Sequence, residues 1–272
     1  MWVFFINFAK NLEDSKFHDI ILGKWSEHMK KNKTNISKLL LTLAIALFLG
    51  IATYFNIDLD GLLNSSNAYN KINYTASFDL TTIPKFENEP YVVLNDNKPD
   101  FNEEDFARDT FEDYSPLDYL GRCGPAFAKV GIETMPTEER GAINSVKPSG
   151  WQTAKYDIIE GKYLYNRCHL IGYQLTAENA NEKNLITGTR YMNVQGMLPF
   201  ENMVAEYVRT TKNHVLYRVT PIFENDNLVA SGVEIEAQSV EDKGEGICFN
   251  VYVYNVQPGI DINYKNGEST LN

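Results

Sequence analysis

The stretch that most constrains this chain runs from Lys162 to Thr211. Lys162 to Tyr165 reads as a short strand delivering Asn166-Arg167-Cys168-His169-Leu170-Ile171-Gly172. Further on, Met197, Phe200, Val204, Tyr207 and Val208 recur at helical spacing, which predicts a helix from about Gln195 to Thr211. Pro199 fits such a helix only near its beginning. Three strands are then expected, Val215 to Phe223, Leu228 to Val240 and Ile247 to Val256, with Glu224-Asn225-Asp226-Asn227 as the first hairpin turn. The third strand alternates strictly at Phe249, Val251 and Val253.

Chemistry is concentrated in the same stretch. Its three segments 165–172, 184–193 and 200–202 hold an imidazole, two guanidiniums, several carboxamides and one carboxylate, interleaved with apolar residues. An imidazole is suited to proton transfer near neutral pH. Guanidiniums suit phosphate oxygens, and amide or carboxylate oxygens suit a hard divalent metal. The set implies metal-assisted phosphodiester hydrolysis. Glu201 follows Asn193 by eight residues, about two helical turns, so both can share one helix face. Arg190, three residues before Asn193, can reach the same cleft or sit on a solvated surface. Asn193 can alternatively be a helix N-cap.

His18, His28 and His214 lack such neighbours, and a surface or packing role is expected for them. A cysteine hydrolase using Cys168, beside His169, or Cys123 with a histidine is a rival from another enzyme class. Neighbouring strand residues point to opposite faces, which reads Cys168 as core instead. No CxxC spacing suggests zinc. The three cysteines, Cys123, Cys168 and Cys248, imply no disulfide framework.

A net charge of −11 excludes a basic-patch nucleic-acid binder. The acidity lies outside the motif region, however: residues 56–116 carry thirteen acidic side chains against four basic ones. Phosphate binding depends on local cations, so an acidic chain can still turn over a polyanion. At the N-terminal end, a lysine-rich segment from Met29 to Lys38 precedes an uncharged run from Leu39 to Phe55. That order reads as a signal sequence or an uncleaved membrane anchor, with the lysine side inside and the remainder outside.

Asn166-Arg167-Cys168-His169 resembles the Asp-Arg-Gly-His signature of the DNA/RNA non-specific endonucleases, a group of ββα-metal nucleases. Asn184-Leu185-Ile186-Thr187-Gly188-Thr189-Arg190-Tyr191-Met192-Asn193, and Glu201 eight residues on, match the same family, most closely its bacterial DNA-entry branch. Asn166 and Cys168 depart from the usual Asp and Gly. The resemblance implies an α+β fold, the ββα-metal nuclease fold with a central antiparallel sheet flanked by helices, in which a hairpin and a crossing helix surround one Mg²⁺, with Mn²⁺ as a substitute. It assigns His169 as general base, Asn193 as direct metal ligand, Glu201 as support for the metal's waters and Arg167 as a phosphate contact. Arg140 and Arg190 are further phosphate-binding candidates.

The implied activity is hydrolysis of DNA and RNA outside the cell, leaving 5′-phosphates. A non-catalytic, surface-anchored DNA receptor is the alternative from a different class. The expected organisation is a cytoplasmic segment 1–38, with Met29 as a candidate start, a membrane segment 39–55, a polar linker 56–89, a nuclease domain 90–260 and a tail 261–272.

Overall fold

In the computed structural model, which describes residues 80–272, the elements run β1 (Tyr91–Val93), α1 (Glu103–Ala107), β2 (Glu112–Tyr114), β3 (Ala126–Val130), β4 (Tyr165–His169), α2 (Tyr173–Thr176), β5 (Leu185–Thr189), a π-helical segment (Met192–Met197), α3 (Leu198–Thr211), β6 (Val215–Ile222), β7 (Gly232–Ser239), β8 (Cys248–Tyr254), β9 (Ile260–Ile262) and β10 (Ser269–Leu271). Six strands form one sheet in the order β1-β8-β7-β6-β3-β2, every neighbouring pair antiparallel. The pairs β4-β5 and β9-β10 stand as separate two-stranded hairpins.

Period-two alternation sorts the central strands into two faces. Tyr217, Ala237 and Phe249 lie side by side in register, as do Val219, Ile235 and Val251. All six join the main core with Phe200, Val204 and Val208 of α3. Each fully buried apolar side chain contributes about 1.5–3 kcal/mol, so packing of this stripe, rather than helix propensity, holds α3 on the sheet. Pro199 follows directly on the π-helical segment at the start of α3, and Lys212 closes the helix in the left-handed conformation (φ 64°).

The opposite face is more polar. Arg218 pairs with Glu236 at 2.7 Å and also donates to the Asp100 carbonyl, while the Asp100 N–H donates back to Glu236. This network straps residues 94–102 across the sheet. Beside it, Leu94, Ile222, Tyr252 and Tyr254 form a smaller apolar cluster.

Two expected boundaries shift. Residues 80–89, read as the end of a linker, belong to the folded unit: the Phe86 ring meets Tyr254 and Tyr191 edge-on at 5.7 and 5.9 Å. The Tyr254 hydroxyl donates to the Pro84 carbonyl and that of Tyr191 to Asn88. Residues 261–272, read as a tail, complete the β9-β10 hairpin, and the Tyr165 hydroxyl donates to the Gly267 carbonyl inside it. Polar composition concealed both segments because their attachment runs largely through backbone carbonyls. The cytoplasmic segment 1–38, the membrane segment 39–55 and the linker up to residue 79 lie outside the described residues. Among the described residues no helix is long and apolar enough to cross a membrane.

The β4-β5 hairpin, the π-helical segment and α3 follow one another, giving a ββα unit beside the sheet. Asn184 locks the far end of the hairpin: its side chain accepts from the Ile171 N–H and donates to the Ile171 carbonyl. Asn255 ties β5 to the sheet by accepting from the Thr189 N–H and donating to the Thr187 and Ala230 carbonyls. The hairpin that carries His169 is thereby fixed at both ends.

Candidate active site

Alternation along β4 places Arg167 and His169 on one face and Asn166 and Cys168 on the other. Cys168 is fully buried in the main core. It lies against Gly188 of β5, where any added Cβ would collide with its sulfur. Burial pushes the Cys168 thiol up, and the Cys123 thiol up to about 12. All three cysteines are free. Buried, protonated thiols are poor nucleophiles, and the cysteine-hydrolase alternative loses its two candidates.

His169 ends β4 and is 6% exposed. Its Nδ1 lies 3.1 Å from Nη2 of Arg140, and its Nε2 lies 2.7 Å from the Asn179 carbonyl oxygen. A guanidinium only donates. Nδ1 therefore accepts, and the ring proton sits on Nε2 and donates to Asn179. Burial pushes the imidazole pKa down to about 4; the Asn179 carbonyl opposes that shift and the Arg140 charge adds to it. The ring is neutral at physiological pH, with its basic nitrogen facing Arg140.

Arg140 reaches His169 from a loop that other side chains hold. The Tyr173 hydroxyl donates to the Glu138 carbonyl. Arg167 donates to the carbonyls of Val146 and Asn144, and its guanidinium lies 4.0 Å from the Trp151 ring centroid. Arg167, expected to steady a phosphate, thus has donors engaged with the loop. Arg140 is the guanidinium at the imidazole.

Glu201 comes from the first turn of α3 and is partly buried. Burial pushes its carboxyl up to about 7, against the opposing influence of Gln174 and Arg140. Its carboxylate lies over Gly172, three residues after His169: a Cβ there would sit 2.5 Å from Oε2. Absence of a side chain at residue 172 is what lets the carboxylate approach the end of β4. The sequence gave no sign of this contact.

Asn193 stands in the π-helical segment, half-buried, and its carbonyl accepts from the Leu198 N–H five residues on. An N-cap role does not apply, because Asn193 lies inside continuous helix. The π geometry also refines the face argument. Eight residues exceed two α-turns, about 7.2 residues, by nearly one. A π-turn takes up one extra residue and brings Asn193 and Glu201 closer to a common face.

Arg190 is separated from this group. It adjoins Thr189, which pairs with Tyr165 at the opposite end of the hairpin from His169, roughly 13 Å along the strand. Its guanidinium lies 3.9 Å from Glu160. His214 lies between Glu241 and Glu133, which raise its pKa, and belongs to an ion-pair cluster on another part of the surface. The Asn179 carbonyl is the one contributor that side-chain reading could not find, since a backbone acceptor leaves no mark in a sequence.

A family model for the DNA/RNA non-specific endonucleases matches residues 103–241, just over half of the chain. Among solved structures, NucA from Streptococcus agalactiae with magnesium bound is 27% identical, with a TM-score of 0.59 over 68% of this chain and 91% of that one. The same protein without metal gives 26% identity and a TM-score of 0.60, covering 71% and 92%. Sda1 nuclease with bound zinc shares the fold, at 24% identity and a TM-score of 0.56 over 68% and 97%. The chain belongs to the DNA/RNA non-specific endonuclease family, in its DNA-entry nuclease branch, and is an endonuclease acting on nucleic acid.

Proposed function

We infer that this protein is a Mg²⁺-dependent, sugar-non-specific endonuclease that hydrolyses DNA and RNA outside the cell with His169 as general base. The observation that carries the reading is the neutral His169 ring, its proton held on Nε2 by Asn179 and its Nδ1 lone pair beside Arg140, whose charge also acts on Glu201. Only the neutral ring can take a proton from water.

The donor chemistry fits a hard cation. Asn193 and Glu201 offer oxygen, and among the described residues no group of three or more His, Cys, Asp or Glu side chains is gathered to cage a metal. A site with few protein ligands suits Mg²⁺, which retains several waters. The magnesium bound by NucA agrees with this choice. In this reading Asn193 holds the ion directly and Glu201 holds its waters. A divalent cation there supplies charge neutralisation at phosphorus and at the leaving 3′ oxygen.

Arg140 has two tasks. Without substrate it donates to Nδ1 and occupies the lone pair needed for catalysis. A phosphodiester competes for that guanidinium through a charge-assisted hydrogen bond, and the exchange frees Nδ1 for a water. His169 then accepts the water's proton as its oxygen bonds to phosphorus and the P–O3′ bond breaks, the departing 3′ oxygen taking a proton from solvent, giving a 5′-phosphate and a 3′-hydroxyl. Arg167 supports the loop that presents Arg140. The lysine-then-apolar order of residues 29–55 supports attachment to the membrane, with residues 60–272 facing outward.

The test is incubation of the full chain with plasmid, linear DNA and RNA, with and without Mg²⁺ and EDTA. Cleavage of all three, abolished by EDTA and restored by Mg²⁺ with 5′-phosphorylated ends, is expected. Cleavage that persists in EDTA refutes the metal mechanism.

A further inference from the structure

Beside the candidate active site lies a second concavity of about 430 Å³, lined by Trp151, Gln152, Tyr163, Asn166 and Arg167 among others. Its composition differs from that of the surface around it. Tyr163 is an aromatic ring left 49% exposed, with the Lys155 ammonium 4.5 Å from its centroid. Trp151 and Arg167 form a stacked pair at 4.0 Å. Asn166 and Gln152 add neutral carboxamides, each able to donate and accept. No carboxylate lines it.

Aromatic and guanidinium planes with flanking cations and amides suit a flat, hydrogen-bonding ring on an anionic backbone. We propose that this cleft is a nucleobase subsite, which stacks one base of the substrate strand on Tyr163 a few nucleotides from the scissile phosphate. Position supports the assignment. The cleft extends from Arg167, roughly 7 Å along β4 from His169, to Tyr163, up to roughly 20 Å away, a span of a few nucleotides. Charge supports it as well, because in a chain of net charge −11 no acid lines the cleft and the Lys155 ammonium stands beside its Tyr163 ring. Stacking is tolerant of base identity, as befits an enzyme that does not select sequence. A base stacked there must be free of its partner, so the cleft favours single-stranded or locally opened substrate. The proposal rests on the nuclease reading above.

The experiment measures kcat/KM of the full-length protein with Mg²⁺ on a single-stranded oligonucleotide holding one cleavable phosphodiester, with each nearby nucleotide on either side intact or abasic in turn. Tyr163→Ala should lower kcat/KM on the intact strand roughly tenfold or more. Tyr163→Phe, which keeps the ring, should retain most of it. An abasic nucleotide on one side should lower the wild-type value by a similar factor and lower that of Tyr163→Ala little further. Equal kcat/KM for wild type and Tyr163→Ala on the intact strand overturns the subsite, as does an abasic penalty of the same size in both proteins. In either case the wild type still cuts, and the nuclease reading stands. A wild-type protein that cuts no strand overturns both. Thermal melts of each variant separate a lost contact from a lost fold.

Discussion

His169 should remain neutral far below the usual imidazole range. An ordinary ring, with a pKa near 6.5, is neutral in only about one molecule in ten at pH 5.5. With burial and Arg140 pushing the pKa down to about 4, nearly every His169 ring is neutral at that pH. In a titration of the metal-free protein followed by histidine ring NMR, with His169→Ala supplying the assignment, the His169 signal should hold its neutral position through pH 5. The His214 signal should move above pH 6.5, because Glu241 and Glu133 favour its protonated form.

Activity should follow. At Mg²⁺ concentrations saturating at each pH, the His169 contribution to kcat/KM should change less than twofold between pH 7.5 and 5.5, where an unshifted base would lose about tenfold. Glu201 titrates separately. Its carboxyl, pushed up to about 7, makes the half-saturating Mg²⁺ concentration rise as pH falls. The same shift carries a stability consequence. The unfolded ring binds a proton near 6.5 and the folded ring near 4, so stability is fully present above 6.5 and is lost as pH falls through that window. The loss approaches about 3 kcal/mol and should be absent from His169→Ala. A His169 resonance that titrates between pH 6 and 7 would refute the burial argument.

Other outcomes follow from the same geometry. His169→Ala should lose about 10²–10⁴-fold in rate while still binding DNA, and His214→Ala should cut at the wild-type rate in the same assay. Asn193→Ala should lower activity and raise the Mg²⁺ requirement; an unchanged Mg²⁺ titration would remove Asn193 from the metal site. Gly172→Ala introduces a Cβ where the Glu201 carboxylate lies, so Mg²⁺ binding, read by calorimetry, should weaken while the melting temperature changes little.

The sequence by itself carried whatever periodicity and residue chemistry encode. Strict alternation at Phe249, Val251 and Val253 marked a strand buried on one face, and all three lie in the main core. The stripe from Met197 to Val208 marked a helix packed on that sheet. The Asn-Arg-Cys-His motif with its downstream Asn and Glu marked the family. Alternation also put Cys168 in the core, since sharing a strand with His169 forces it to the opposite face.

Tertiary structure decided the rest, because long-range contacts and backbone acceptors have no local signature. Arg140 was one loop cation among several until folding brought its guanidinium to Nδ1 of His169, twenty-nine residues away in sequence. Arg167 looked like the phosphate contact, yet its donors go to the Asn144 and Val146 carbonyls. Arg190 shares a motif with Asn193, but the hairpin carries it to the opposite end from His169. The tautomer of His169 depends on the Asn179 carbonyl, and its pKa on how many apolar atoms exclude water from the ring. Sequence names the groups available for chemistry; only the folded chain sets their protonation and their partners, because desolvation and charge act through space.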